Sequence, residues 1–375
     1  MSSLVSIVIP AWERPALLPE VLDSCLAQTY RDIEVVVADD SRTDRVARAI
    51  EPYLAHPRVR YERNQVRLGQ SGNVNRLFDL ARGERLVLLH DDDTLLPDAV
   101  EVLDECWRRH PNLTACYGKL FIVTHAGIVL DDMTEATDRV CARTAVHAGL
   151  QRRPLWPALA GQFPSDGFMV STAAARATRF RPYEEVGDAC DFDFKLRLSQ
   201  QPGWFYFLDR YVSNYRITDT SVSSTPETID HAFEIACALD VPSDMEPMRR
   251  RFLRDRGLHA VRRYLLIGHR ALAWRLLLRT EYWPDGPKLR SLCTTFALFL
   301  MPAALIRTLR PLKHGLRAWL RRNDGLYRAL LRARARLSQC TQPAAAESRL
   351  EGSRKFAHPV QPAAPGDSAS LRRSR

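Results

Sequence analysis

Three consecutive carboxylates, Asp91, Asp92 and Asp93, follow the apolar run RLVLLH without a break. Adjacent carboxylates repel, so they stand in water or answer to positive charge. A hard divalent cation such as Mg²⁺ or Mn²⁺ would resolve the repulsion, since it is held by one or two carboxylates with substrate phosphates completing its shell. The plainer alternative is a solvated strand end or a helix N-terminus, where aspartate is common. His90, directly before the triplet, is either a further polar ligand or a hydrogen-bonded core histidine. A second apolar run, IEVVVADDS (33–41), also ends in carboxylates, Asp39 and Asp40.

The elements that must carry these groups alternate. VSIVIP (5–10), IEVVVADDS, VRYERN (59–64), RLVLLH (85–90) and TACYGKLFIV (114–123) are short, β-branched runs of the kind buried in a sheet. Between them, Pro15–Gln28, Arg45–Leu54 and Pro97–Arg109 have helical spacing. GQSGNVN (69–75) is a turn-rich loop that caps a helix from about Asn73 to Ala81. This alternation predicts a doubly wound α/β sheet flanked by helices, whose ligands bind beyond the carboxyl ends of the strands. Both acidic strand ends then face one crevice. Residues 124–185 carry no clear pattern until GQFPSDGFMVS (161–171) ends strand-like. VGDACDFDFKLRLSQQPGW (186–204) is helical, and WFYFLDRYVSNYRI (204–217) reads as two short strands or one extended return.

Charge divides the chain. Residues 1–244 hold 26 Lys and Arg against 36 Asp and Glu, whereas 245–340 hold 22 against 5. In the basic part Leu258, Leu265 and Leu272 recur every seven residues, as do Arg256, Arg263 and Arg270. The two stripes fall on opposite helical faces. Residues 316–337 repeat the pattern, and 341–375, rich in Ala, Pro, Ser and Arg, read as a disordered tail. The eight cysteines have no metal-ligand spacing, which suggests reduced thiols of a cytoplasmic protein. MSSLVSIVIP reads as a first strand, not a signal peptide. The most apolar stretch, 291–306, is too short to span a bilayer and contains Pro302.

Several segments, in order, resemble the family 2 glycosyltransferases of the GT-A fold. They are VSIVIPAWERPALLPEVLDSCLAQTYRDIEVVVADDS, RNQVRLGQSGNVNRLFDLARGERLVLLHDDDTLLP and VGDACDFDFKLRL, and the likeness covers about residues 4–220. It implies an inverting, metal-assisted transfer of one sugar from a nucleoside-diphosphate sugar to an acceptor hydroxyl. The donor base is uracil by preference, with GDP or dTDP sugars as alternatives. The resemblance puts Asp40 on the donor base, with Pro10, Ala11 and Glu13 beside base and ribose, and Gly69, Asn73 and Asn75 in the loop lining the nucleotide pocket. Asp91–Asp93 match the DxD region, with Asp93 and Asp91 as metal ligands for Mn²⁺ or Mg²⁺ and Asp92 or Asp91 near ribose and diphosphate. His90 takes the place of the first aspartate of the common Asp-x-Asp-Asp pattern. Asp191 matches the catalytic base, its pKa raised by partial burial, with Asp188 and Asp193 as rivals and Cys190 where glutamate is common. Arg197 ties down the same helix, and Arg216, after Tyr215, touches the diphosphate or makes an ion pair.

The expected organisation is a catalytic domain over 1–225, a basic helical region over 226–340, and the tail. The arginine stripes fit either an anionic membrane surface, with a glycan or lipid-linked acceptor at the inner face of the cell membrane, or simple packing with a solvated basic face. No nucleic-acid motif accompanies the charge. A nucleotidyltransferase and a non-catalytic membrane-bound scaffold are the competing readings. The first has no need of Asp191, and the second binds no metal–nucleotide complex.

Overall fold

A computed structural model describes residues 3–218, 230–279 and 289–301. These all belong to one unit, Met1–Ala329. The expected domain boundary near 225, the stripes of 316–337 and the tail of 341–375 lie outside the described residues.

The first half alternates as the sequence predicts: β1 (Val5–Ala11), α1 (Leu18–Leu26), β2 (Ile33–Asp39), α2 (Arg45–Ile50), β3 (Val59–Arg63), α3 (Gly69–Leu80), β4 (Arg85–Leu88), β5 (Thr94–Leu95), α4 (Ala99–Arg109) and β6 (Leu113–Val123). The unpatterned middle supplies α5 (Asp131–Val140), β7 (Gly149–Gln151), α6 (Leu155–Ala160), β8 (Phe168–Ser171) and α7 (Thr172–Thr178). There follow α8 (Tyr183–Val186), α9 (Cys190–Leu198) and a single long strand β9 (Trp204–Arg216) where two were allowed for. The basic region forms α10 (His231–Ala238), α11 (Glu246–Leu266), α12 (Arg270–Leu277) and α13 (Leu289–Leu300).

Among the described residues the strands form one mixed sheet in the order β3-β2-β1-β4-β8-β6-β9-β5, with β7 added on β9. β3, β2, β1 and β4 run parallel, so their carboxyl ends share one edge. β8 is antiparallel to both β4 and β6 and reverses the sense there. The central strands are covered on both faces, which is why they read as unbroken apolar runs rather than alternating ones. Val5, Ile7 and Ile9 pack with α1 and α4 on one side. Val8, Val36, Leu86 and Leu88 pack with Phe78 of α3 and Phe194 of α9 on the other.

α3 starts at Gly69, four residues earlier than the sequence suggests. Its N-terminus is capped from a distance: the Asp40 carboxylate accepts the backbone N–H groups of Leu68 and Gly69 at 2.8 and 2.9 Å. A cap supplied 28 residues away leaves no local signature.

The predicted stripes of the basic region do not run along one helix. α11 ends at Leu266 and the chain turns through Gly268, at φ +89°, before α12. Leu258 and Leu265 are buried with Phe233, Leu253, Val261 and Leu277 in a third core cluster. Leu272, past the turn, is exposed. The α11 leucines are therefore spent on internal packing. Phe252 of α11 stacks on Phe192 of α9, with centroids 5.0 Å apart.

Candidate active site

The parallel strand ends open into a cleft of about 1300 Å³. Its floor is the acidic end of β4, where each aspartate has its own partners. Asp91 is drawn toward the loop after β1: its Oδ2 accepts the Trp12 N–H at 2.7 Å and its Oδ1 meets Arg14 Nη1 at 2.6 Å. Burial nevertheless leaves its pKa above the ordinary carboxylate value, Arg14 offsetting only part of the cost. Asp92 Oδ2 accepts from Thr218 Oγ1 at 3.1 Å and lies 3.5 Å from Arg14 Nη2. Asp93 sits just beneath the wall, where its Oδ1 accepts the Arg216 N–H at 2.6 Å.

The other oxygen of Asp93, Oδ2, is buried without a hydrogen-bond partner. Burial, and then the facing carboxylate of Asp166, push the Asp93 pKa well above the ordinary value. Ligand atoms of His90, Asp92 and Asp93 lie within 4.8 Å of one another. An orphaned buried carboxylate oxygen beside a second carboxylate and an imidazole suits a divalent cation. Asp91, expected among the ligands, is not in this cluster, because both of its oxygens are engaged by the Trp12 and Arg14 loop.

Asp40, Gly69, Asn73 and Pro10 line the neighbouring part of the cleft, as the resemblance implies. Beyond its capping of α3, Asp40 Oδ1 accepts from Asn64 Nδ2 at 3.0 Å. Asn73 is buried and locks this corner, donating to Ala38 O and accepting from Asn64. Asn75 bonds reciprocally with the backbone of Phe180. Ala11 and Glu13 do not line the cleft. Ala11 is buried in the core, and Glu13, at φ +55°, turns its carboxylate to the Arg42 N–H and toward Arg45. Arg216 also departs from expectation. It is 3% exposed, with its guanidinium donating to Asp92 O, His125 O and Glu20 Oε1. It braces the acidic loop from behind rather than facing the cleft.

Asp191 stands on the opposite wall, in the first turn of α9. Its Oδ2 accepts from Ser165 Oγ, its Oδ1 accepts the Phe192 N–H at 2.8 Å, and Lys195 Nζ lies 3.5 Å away. Burial raises its pKa, but Lys195, the Ser165 hydroxyl and the Phe192 N–H together outweigh it, and the carboxyl sits below its usual value. The expected upward shift is thus reversed. Cys190, behind it, is buried, which pushes its thiol up to about 12. Asp193 is tied by Arg181 and by Arg197, whose Nε is 2.8 Å away, and so holds α9 in place. Asp188 binds His231 Nδ1 at 2.8 Å, a close approach permitted by Gly187, where a Cβ would fall 2.0 Å from that nitrogen.

Six cleft residues were not anticipated from the sequence. Arg14 and Trp12 were visible only as part of a turn, although a cation at a strand end facing three aspartates is a fair signal. Lys195, one helical turn after Asp191, was legible as an i, i+4 pair. The other three come from α11: Phe252, Arg256 and His259 line the cleft, Arg256 and His259 both meeting the buried Asp230 at 2.9 Å.

The mixed α/β sheet flanked by helices is a GT-A-type fold. Residues 6–124 match the glycosyl transferase family 2 model. Over 115 residues it is 38% identical to chondroitin synthase of Escherichia coli, covering 30% of this chain and 17% of that one. Over 101 residues it is 33% identical to the GalNAc(5)-diNAcBac-PP-undecaprenol beta-1,3-glucosyltransferase of Campylobacter jejuni, covering 26% and 33%. The chain spans less than two thirds of the length of these curated relatives. Among solved structures it resembles S. aureus TarS 1-349 in complex with UDP-GlcNAc (TM-score 0.51, 15% identity, 74% of this chain and 89% of that one). It also resembles a mannosyltransferase from Pyrobaculum calidifontis in complex with GDP-Man and Mn²⁺ (TM-score 0.50, 17% identity, 87% and 86%).

Proposed function

We propose that this chain transfers one sugar from a nucleoside-diphosphate sugar to an acceptor hydroxyl, with inversion at the anomeric carbon. The observation that carries this reading is Asp191, an ionised carboxylate pinned across one cleft from the His90, Asp92 and Asp93 donor cluster. The Asp40–Asn73 corner binds the base, UDP first among the candidates, with GDP or dTDP as alternatives. Asp191 takes the proton from the acceptor hydroxyl as that oxygen bonds to the anomeric carbon and the bond to the diphosphate breaks. Lys195 and Ser165 orient Asp191 and keep it ionised. Arg14 holds the acidic loop against its own repulsion. Asp93, Asp92 and His90 would hold Mn²⁺ or Mg²⁺. Such a cation supplies positive charge to the departing diphosphate.

The acceptor enters past α11, and the pathway is assembly of a surface polysaccharide or glycolipid. The names of the relatives support this: one is a chondroitin synthase and another a GalNAc(5)-diNAcBac-PP-undecaprenol beta-1,3-glucosyltransferase. The site of action is the cytoplasmic face of the cell membrane. No helix among the described residues is long and apolar enough to cross a bilayer. Leu272, Trp274 and Leu278 are exposed beside Arg275 and Arg279, which suits peripheral contact with anionic lipid.

The test is the melting temperature of the purified protein with UDP, GDP, dTDP, CDP or ADP, each with Mn²⁺ or with EDTA. A ligand that binds the native state raises the midpoint by mass action. One nucleotide is expected to stabilise only with metal, and Asp93→Asn to abolish the effect. No stabilisation by any pair would sink the transferase reading.

A further inference from the structure

β4 and β8 pair antiparallel, with Arg85 opposite Ser171 and Leu88 opposite Phe168. The Gly167 N–H continues the ladder to Leu88 O at 2.8 Å. Two residues further along the same register, Asp166 falls opposite His90. Gly167 itself is at φ +66°, and a Cβ there would lie 2.5 Å from Ser213 Oγ, so the chain is pressed against β9 as it delivers Asp166. Asp166 is 1% exposed, and its Oδ2 is buried with no hydrogen-bond partner. Asp93 Oδ2 is in the same condition. His90 Nδ1 stands 3.9 Å from each of these oxygens.

We propose that Asp166 is a ligand of the divalent-cation site, closing it from β8 against Asp93 and His90 at the end of β4. The inference rests on the cation reading given above and adds a residue to it. Two facing buried carboxylates are costly unless a proton or a metal cation joins them. The imidazole nitrogen equidistant from both marks where that charge belongs. His90 occupies a position where the resemblance puts an aspartate, so that position offers an imidazole in place of a carboxylate. Asp166 brings a carboxylate to it from across the β4–β8 ladder. The ligands stand in the short segments just after β4 and just before β8, whose spacing the ladder fixes.

The test is Mn²⁺ binding, read from the free-ion EPR signal, for wild type, Asp166→Asn and Asp93→Asn, each without nucleotide and with UDP or GDP. Asp166→Asn is expected to weaken Mn²⁺ binding about tenfold or more, since even partners outside a metal's ligand shell are worth that much. In EDTA the same variant should melt at or above the wild-type temperature, because its amide can donate to Asp93 Oδ2 and satisfy an orphaned acceptor. The two effects have opposite sign, which a merely structural residue would not give. Should Asn not be accommodated, Asp166→Ser gives the same metal readout. Wild-type Mn²⁺ affinity in a folded Asp166 variant overturns the inference alone. Failure of the wild type to take up Mn²⁺ under any of these conditions overturns the cation reading and this inference with it.

Discussion

Lys195 lies one turn beyond Asp191 on the same helix, and its Nζ is 3.5 Å from Asp191 Oδ2. The lysine is nearly buried, so its charge is poorly screened and acts chiefly on this carboxylate. As the proposed base, Asp191 must be ionised to accept a proton, so activity should be lost as pH falls through its pKa. That pKa is held below the ordinary carboxylate value, and the acid limb of kcat/KM should lie correspondingly low. Lys195→Met removes the main stabilising charge, and the limb should move to higher pH. A pH–rate profile of the variant checks this, and an unmoved limb would show that Lys195 does not tune the base.

Asp40 serves two masters, the helix cap and the expected donor base. Asp40→Ala should cost about 1–2 kcal/mol in urea denaturation, the usual value of an N-cap with some helix-dipole contribution. Asp40→Asn can still accept one of the two backbone N–H groups and should recover much of that stability. Nucleotide binding should fall in both variants. Equal nucleotide affinity in wild type and Asp40→Asn would leave Asp40 as a cap only.

Arg14 is the main side-chain cation against Asp91 and also approaches Asp92. Removing one partner of a largely buried pair leaves the other's charge uncompensated, at a cost of about 3–5 kcal/mol. Arg14→Met should lower stability by roughly that amount in chemical denaturation. A loss under about 1 kcal/mol would place the pair with ordinary surface ion pairs.

Asp230 is 3% exposed and anchors Arg256 and His259. Burial works against its charge, but His259 and Arg256 prevail and its pKa falls from 3.8 to about 2. A depressed folded-state pKa contributes stability that is fully present above the unfolded value and lost as pH falls through the folded one. The contribution, about 2 kcal/mol by this linkage, should be present at neutral pH and disappear between about pH 4 and pH 2. Asp230→Asn should therefore melt lower than wild type at pH 7, with the gap closing over that window. A gap independent of pH would assign the loss to packing.

The acidic floor and polar corner of the cleft were largely legible because their residues stand at the ends of strands, and strands announce themselves by composition. Asp40, Asp91–Asp93 and the order β1 to β4 followed from short apolar runs broken by carboxylates. What failed was side-chain direction. Arg216 reaches the acidic loop from behind because β9 pairs with β5 and β6, a pairing that no local pattern encodes. Arg14 meets Asp91 across 77 residues, and Asp166 meets His90 only through the β4–β8 register. The burial of Asp191 was foreseen, but not the lysine and hydroxyl that outweigh it. The arginine stripe looked like one helix because the turn at Gly268 preserves the seven-residue count while changing direction.

The exposed apolar residues of the basic region give one further expectation. Trp274 is 50% and Leu278 63% exposed. Replacing both by serine should weaken sedimentation with phosphatidylglycerol vesicles several-fold at low salt, while leaving the melting temperature nearly unchanged. Wild-type protein that stays in the supernatant would remove the membrane from the proposal.

The cleft is written in two consecutive lengths of chain. The acidic floor and the polar corner come from residues up to 93, whereas the facing wall comes from Ala158 to Arg263, and the family match ends at 124 between them. Recombination in the intervening stretch would therefore exchange one wall while leaving the other intact. The β4–β8 pairing is the joint any such hybrid must keep, because there the earlier length meets the later one. Such an exchange would change the wall around Asp191 and leave the acidic floor and the Asp40 corner as they are.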